Sequence, residues 1–181
     1  MGSNSMQEET KYVYKGKRVS LKIIETILPN GKFAKKEVVE HPGAVVILPM
    51  LEGDKILLLR QYRPSVENWV YELPAGTLDK EGESPEDCAI RELEEEAGYK
   101  AEKVQLLFKI YPSPGYCTEI IHAFLATGLK KTIHKRDETE VIETLTLSLN
   151  DALDLVRKEN IADAKTLATL LYYEKYFIKS F

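Results

Sequence analysis

The chain has 181 residues, 44% hydrophobic and 30% charged, the balance of a globular domain with a sizeable core. Lys and Arg number 25 and Asp and Glu 29, a net charge of −4 with the basic residues scattered, so nucleic acid is a poor partner while a local basic pocket for a small phosphate ligand stays open. The longest apolar run, residues 44–51, contains Pro49 and is far too short to span a bilayer.

Residues 1–5 carry no charged, apolar signal segment and read as a cloning remnant ahead of a start at Met6. Residues 6–42 form a strand region with little core of its own. It alternates in pieces such as Val19-Ser20-Leu21-Lys22-Ile23, turns at Pro29-Asn30-Gly31 and resumes over 33–39. Such strands must pack on the rest of the chain or on a second copy, which makes this region a candidate dimer-forming element. From residue 43 onward, strands are expected over 44–51, 55–61, 69–73, 104–110, 119–127 and 141–147. Two helices close the chain, one from Ser148 or Asn150 to about Lys158. The other runs from Asp163 to about Ile178, with Leu167, Leu170, Leu171 and Phe177 on its apolar side. This order suggests an α/β sandwich, a mixed sheet covered by helices. Cys88 and Cys117 form no CxxC pair and read as free thiols of a reducing, cytoplasmic compartment, with a single disulfide left open.

The helix in the middle of these strands has signals at both ends. Ser84 suits the N-cap, Pro85 the first helical position, and Asp87 the third, as a short-armed capping box; Gly98 is placed to end it left-handed. Ala89, Leu93 and Ala97 make a narrow apolar stripe that can lie close against a sheet. Glu92, Glu95 and Glu96 share a face, and like charges at these spacings cost an isolated helix on the order of 0.2–0.5 kcal/mol per pair. A solvated acidic face is the commoner origin of such a run. A hard divalent cation such as Mg2+, which takes carboxylate oxygens together with substrate phosphates, is the other.

The spacing around the helix bears on that choice. Gly76 is followed by six residues, Glu83, seven residues, then Arg91-Glu92-Leu93-Glu94-Glu95-Glu96-Ala97-Gly98-Tyr99. This resembles the Nudix box, G-x5-E-x7-R-E-U-x-E-E-x-G-U with U bulky and apolar. Every fixed residue is present; the departure is one extra residue in the stretch 77–82, which lengthens the loop and leaves the helix register untouched. The resemblance implies a Nudix-like α/β/α sandwich with a mixed sheet and an N-terminal antiparallel strand region, the hydrolase domain covering 43–181. It implies more than one Mg2+ (or Mn2+) ion, held by Glu92, Glu95, Glu96 and the backbone carbonyl of Ala75. Arg91 would orient these glutamates, Glu83 would support the loop-to-helix geometry through Arg91, and Gly76 and Gly98 would shape the two ends.

Three further segments resemble the ADP-ribose and ADP-sugar pyrophosphatase branch of that family. They are Arg60-Gln61-Tyr62-Arg63 with the stretch 69–76, Ser113-Pro114-Gly115-Tyr116-Cys117-Thr118-Glu119, and the late acidic loop Asp137-Glu138-Thr139-Glu140. Arg60, Arg63, Glu72, Pro114 and Glu119 become candidate substrate contacts, with Arg60 and Arg63 expected on one strand face. Glu140 becomes the candidate general base, with Glu138 and Glu95 as alternatives. Tyr12 and Tyr14 are weaker candidates for stacking on a base. His41, His122 and His134 have no metal-ligand spacing, and neither a G-x-S-x-G motif nor a P-loop occurs.

The implied reaction is attack of water on a pyrophosphate phosphorus, releasing AMP and ribose 5-phosphate from ADP-ribose. GDP-mannose or another nucleotide sugar is the alternative substrate. A non-catalytic ADP-ribose-binding module is the alternative of another class; loss of box glutamates would mark it, and none is missing. Related enzymes are commonly homodimers whose N-terminal strands reach the partner's site.

Overall fold

Alternating polar and apolar residues at the N-terminus produce an antiparallel sheet. It is built from β1 (Glu9–Lys15), β2 (Ser20–Ile27) and β3 (Phe33–Glu40), ordered β1-β2-β3. The turn between the last two uses Gly31 at φ 78°, where a glycine meets no steric penalty. The computed structural model describes residues 9–133, 140–158 and 163–178. This first sheet exposes Tyr14, Phe33 and Val13 and is tied to the rest through β3. Val39 N–H donates to the Tyr116 carbonyl (2.7 Å), and Thr118 N–H to the Val39 carbonyl (3.0 Å).

The continuous apolar run becomes β4 (Ala44–Pro49), buried along its whole length. Strands buried on both faces read as unbroken apolar runs. The next strands are β5 (Lys55–Arg63), β6 (Asn68–Glu72) and β7 (Ala75–Thr77). After the central helix come β8 (Tyr99–Lys100), β9 (Lys103–Ile110), β10 (Ile121–Thr127), β11 (Lys130–Lys131) and β12 (Ile142–Ser148). The mixed sheet is ordered β7-β4-β10-β9, with β4 and β10 parallel and the outer pairings antiparallel. An antiparallel sheet β12-β5-β6 adjoins it through the Met50↔Ile56 bridge, and β11-β8 forms a short ribbon.

Successive residues of β4 point to opposite faces, and this alternation divides the core. Ala44, Val46 and Leu48 join Ile56, Leu58, Leu149, Ala152, Leu153 and Leu170 on one side. Val45 and Ile47 join Leu57, Cys88, Ala89, Leu93 and Ala97 on the other. Helix α1 (Pro85–Glu92) with its continuation therefore covers one face; α2 (Leu149–Arg157) and α3 (Ala164–Phe177) cover the other. The chain is thus an α/β sandwich of the expected kind.

Three local expectations are corrected. The central helix is not α-helical throughout: it widens into a π-helical turn, Leu93–Ala97, before Gly98 ends it at φ 71°, ψ 34°. The Ser84–Asp87 cap is reciprocal by a different bond. Ser84 Oγ accepts from the Asp87 N–H (3.1 Å) and donates to the Asp87 carboxylate (2.6 Å), because aspartate's arm is one methylene shorter than the glutamate of a full capping box. In α3 the buried face is Thr166, Thr169 and Leu170, while Leu171 and Phe177 are exposed. The two threonines go inside because their hydroxyls are satisfied there. Thr166 Oγ1 accepts from the Leu73 N–H (2.8 Å) and Thr169 Oγ1 donates to the Lys165 carbonyl (2.7 Å).

Candidate active site

The site begins with a glycine. A Cβ on Gly76 would lie 2.0 Å from Glu92 Cδ and 2.1 Å from its Oε1, so β7 and the end of α1 can approach only because residue 76 has no side chain. On the neighbouring residue, the Ala75 N–H donates to Glu96 Oε2 (3.0 Å), which ties the π-helical turn to the same short strand. One fork organises the helix from its loop side. Arg91 Nε and Nη2 hold the two oxygens of Glu83 (2.7 and 2.8 Å), while Nη1 reaches Glu92 Oε1 (2.6 Å) and Glu95 Oε2 (2.9 Å). Bidentate, charge-assisted bonds of this kind fix orientation as well as charge. Accordingly Arg91 holds the Glu83 carboxyl below the usual carboxylate range, and Glu83 and Glu92 in turn hold the Arg91 proton more tightly.

A cavity of about 320 Å³ opens beside Gly76, and Glu92, Glu96, Glu140 and Arg63 stand in its wall. Glu96 is 5% exposed. Its carboxyl is pushed up to about 8, by burial first and by Glu92 and Glu140 after it, with the Ala75 N–H and Arg63 opposing the shift. Glu92 is raised as well, by burial first, with Arg91 opposing. Carboxylates driven toward their protonated forms by burial, and further by one another, are a latent cation site.

The cavity gathers Ala75, Gly76, Arg63, Glu92, Glu96, Glu119 and Glu140 from the expected residues. Others stand outside it. Glu95 is held by Arg91 and lies 4.0 Å from Lys80. Glu72 is behind Arg63, which grips both its oxygens at 2.7 Å. Pro114 belongs to the turn closed by the Cys117 N–H and the Ser113 carbonyl (2.9 Å). Tyr12 donates to Glu40 (2.9 Å). Glu138 and His134 lie outside the described residues. Arg60 and Arg63 do not share a face: residues three apart in a strand point to opposite sides. Arg60 stacks 4.5 Å over the Trp69 ring and donates to Glu143 (3.1 Å), on the face of β5 away from Arg63.

Comparison with known proteins bears directly on this geometry. Residues 40–170 match the profile of the NUDIX domain. The chain belongs to the Nudix family. It is 42% identical over 175 residues to an ADP-ribose pyrophosphatase of Bacillus subtilis (strain 168), covering 94% of each chain. It is 39% identical over 168 residues to a methanol dehydrogenase activator of Bacillus methanolicus, covering 92% of this chain and 90% of that one. The crystal structure of an ADP compounds hydrolase superposes with a TM-score of 0.80 at 24% identity, over 97% of both chains, a likeness of fold.

As a Nudix hydrolase the chain has a donor set that suits a divalent metal ion. Every candidate donor in the cavity is an oxygen, which fits a hard cation, and the space a Gly76 Cβ would fill is taken by a Glu92 oxygen. Among the described residues no three acidic, imidazole or thiol groups stand ready-made as a ligand cluster. Glu92 is instead bonded to Arg91 and Glu96 to the Ala75 N–H. Glu92, Glu96 and the Ala75 carbonyl are the groups that would hold the ion.

The cavity wall also contains Arg18, Asp79, Asp163 and Lys165, none of which the motifs single out. Arg18 comes from the turn between β1 and β2, a placement set by tertiary packing alone. Asp163 is visible in the sequence as a helix N-cap, its Oδ2 accepting from the Thr166 N–H (3.0 Å), and Lys165 stands two residues beyond it.

Proposed function

We propose that this Nudix hydrolase cleaves the pyrophosphate of ADP-ribose or a related ADP-sugar with Mg2+, or Mn2+ in its place. The supporting observation is the meeting of Glu92, Glu96 and Glu140 with Arg63 around one cavity under the box helix. Kinship with a protein named ADP-ribose pyrophosphatase along almost the whole chain supports this substrate class.

In this reading Arg63 binds phosphate oxygens. Its guanidinium keeps its charge because Glu72 holds its proton on, and two of its five N–H groups are used by Glu72. Glu92, Glu96 and the Ala75 carbonyl would hold the metal, which when bound would neutralise phosphate oxygens and acidify a water molecule. Glu140 takes the proton of the attacking water. The new P–O bond forms as the bond from that phosphorus to the bridging oxygen breaks, giving AMP and ribose 5-phosphate from ADP-ribose. Arg91 keeps Glu92 in place through its fork on Glu83.

We place the chain in the cytoplasm, in keeping with two free thiols, Cys88 and Cys117; no helix among the described residues is long and apolar enough to cross a membrane. The exposed Tyr14 and Phe33 of the first sheet, 61% and 58% accessible, suit burial against a second copy, and light scattering on the purified protein reads that directly.

The test of the reaction is a panel of ADP-ribose, ADP-glucose and GDP-mannose with Mg2+ or Mn2+, the products identified by mass spectrometry. AMP and ribose 5-phosphate from ADP-ribose are expected. Cleavage of GDP-mannose alone would move the substrate. Binding of ADP-ribose without cleavage by either metal would turn the assignment to a binding module.

A further inference from the structure

Lys165, the second residue of α3, is used by none of the steps above. It is 15% exposed and stands in the wall of the catalytic cavity and of an adjoining one that Trp69 and Tyr71 line. Its Nζ donates to Glu72 Oε2 (2.5 Å) and to Asp163 Oδ1 (2.9 Å). Glu72 is 2% exposed, and Arg63 takes both its oxygens from the other side through Nε and Nη2. Asp163, Lys165, Glu72 and Arg63 therefore form a chain of alternating charge from the N-cap of α3 to the cavity wall. Its four charges cancel. Burial pushes Glu72 toward protonation, and Arg63 with Lys165 outweighs that and keeps it ionised.

We infer that Lys165 is a positioning residue for catalysis, setting the Arg63 guanidinium at the cavity wall through Glu72. The inference rests on the proposed role of Arg63 as a phosphate contact. With Lys165 present, Glu72 Oε2 is shared between two donors and Asp163 is neutralised locally. Without it, Arg63 alone faces Glu72 and Asp163, whose field already acts on it. The local charge falls from zero to −1 beside the place where phosphate binds, and the guanidinium is drawn toward its carboxylates. Both effects weaken substrate binding. The groups assigned to the chemistry, Glu92, Glu96 and Glu140, make no contact with Lys165 in the bonds described, so turnover of bound substrate is little affected.

Lys165→Met should raise KM for ADP-ribose about tenfold, the worth of one charge-assisted hydrogen bond at roughly 1.4 kcal/mol, and leave kcat within about threefold. Lys165→Arg, which keeps a cationic donor to Glu72, should recover most of the loss. In a Glu72→Gln background the same Lys165→Met change should cost clearly less, because the carboxylate it acts through is gone and only the loss of one charge remains. A fall in kcat with unchanged KM, tracking a lower Tm, would reduce Lys165 to a structural residue. An equal loss in both backgrounds would make it a direct substrate contact, and either result overturns the inference. Should Lys165→Met fail to fold, Lys165→Gln in the same two backgrounds carries the test. Binding of the non-hydrolysable α,β-methylene ADP, followed by calorimetry in the presence of Mg2+, separates this from the reaction itself. Wild type that binds the analogue but cleaves nothing removes the proposed reaction and leaves the Lys165 comparison readable in Kd; wild type that does neither overturns both.

Discussion

Glu96 offers the most quantitative test of the site, in protein stripped of metal by chelation. Its carboxyl is raised from an ordinary 4.5 to about 8 in the folded state, so the folded protein holds this proton more tightly than the unfolded chain does. The stability contributed by the protonated group is complete below about pH 4.5 and is lost progressively as pH rises toward about 8. At 1.36 kcal/mol per pK unit, keeping this carboxyl protonated in the fold while the unfolded chain ionises costs roughly 1 kcal/mol at pH 5.5 and about 4 kcal/mol at pH 7.5. Glu96→Gln removes this term while keeping an acceptor for the Ala75 N–H. Relative to wild type the variant should gain about 3 kcal/mol between those two pH values, which for a domain of this size is roughly 6–12 °C in Tm. Thermal or urea unfolding of both proteins in chelator at the two pH values reads the difference. His122, whose pKa burial lowers, is common to both proteins and cancels. Saturating Mg2+ should shrink or reverse the advantage, because only wild type can use the carboxylate as a ligand. A stability difference that does not change with pH, or equal stabilisation of both proteins by metal, would refute the reasoning.

Other changes probe the supports of the site. Gly76→Ala forces a Cβ into the Glu92 carboxylate and should cost about 1–3 kcal/mol, with a large loss of activity; a wild-type Tm together with wild-type rates would show that Glu92 need not sit there. Glu83→Gln breaks the ion pair on Arg91, and a loss of roughly 1–3 kcal/mol is expected with weakened metal affinity, measured by Mn2+ titration; unchanged affinity would confine Glu83 to the fold. Glu140→Gln should lower kcat by about 100-fold or more with metal affinity changed far less, and an unaltered kcat would send the general base elsewhere.

The parts of the molecule that could be read from sequence are those set by local chemistry. The buried run of β4, the Ser84 and Asp163 caps and the left-handed Gly98 follow from residue type at one position and its immediate neighbours. The glutamates of the box were legible for the same reason, since helix geometry places Glu92 and Glu96 together whatever surrounds them. The widening of the helix at Leu93–Ala97 has no residue signature, and the bond that ties this turn to β7, from the Ala75 N–H to Glu96, is tertiary. A shared face for Arg60 and Arg63 conflicts with a strand's two-residue period, which puts residues three apart on opposite sides. Thr166 and Thr169 were missed because an apolar count cannot see hydroxyls satisfied by the Leu73 N–H and a helix carbonyl. Arg18 and Lys165 needed the tertiary fold: one enters the cavity from a hairpin far back in the chain, the other from the last helix.

The charge around the cavity carries a consequence for the order of binding. Among the described residues, Asp79, Glu92, Glu96, Glu119, Glu140 and Asp163 line it against Arg18, Arg63 and Lys165, six carboxylates to three cations. Of the three, Arg63 and Lys165 are already engaged by Glu72, and Lys165 by Asp163 as well. Even with Glu96 protonated, as its position near pH 8 allows, the wall is negative where a pyrophosphate must sit. A polyanionic substrate approaching the metal-free site meets repulsion that a partly dry cavity screens poorly. On the proposed reading a divalent cation is therefore a condition for binding as well as for chemistry, and substrate affinity should fall steeply in chelator. The same balance separates two kinds of carboxylate in the wall. Neutralising one that holds no metal, such as Glu119, should ease metal-free binding of a nucleoside diphosphate. Neutralising Glu92 should ease it too, but at the cost of the response to metal.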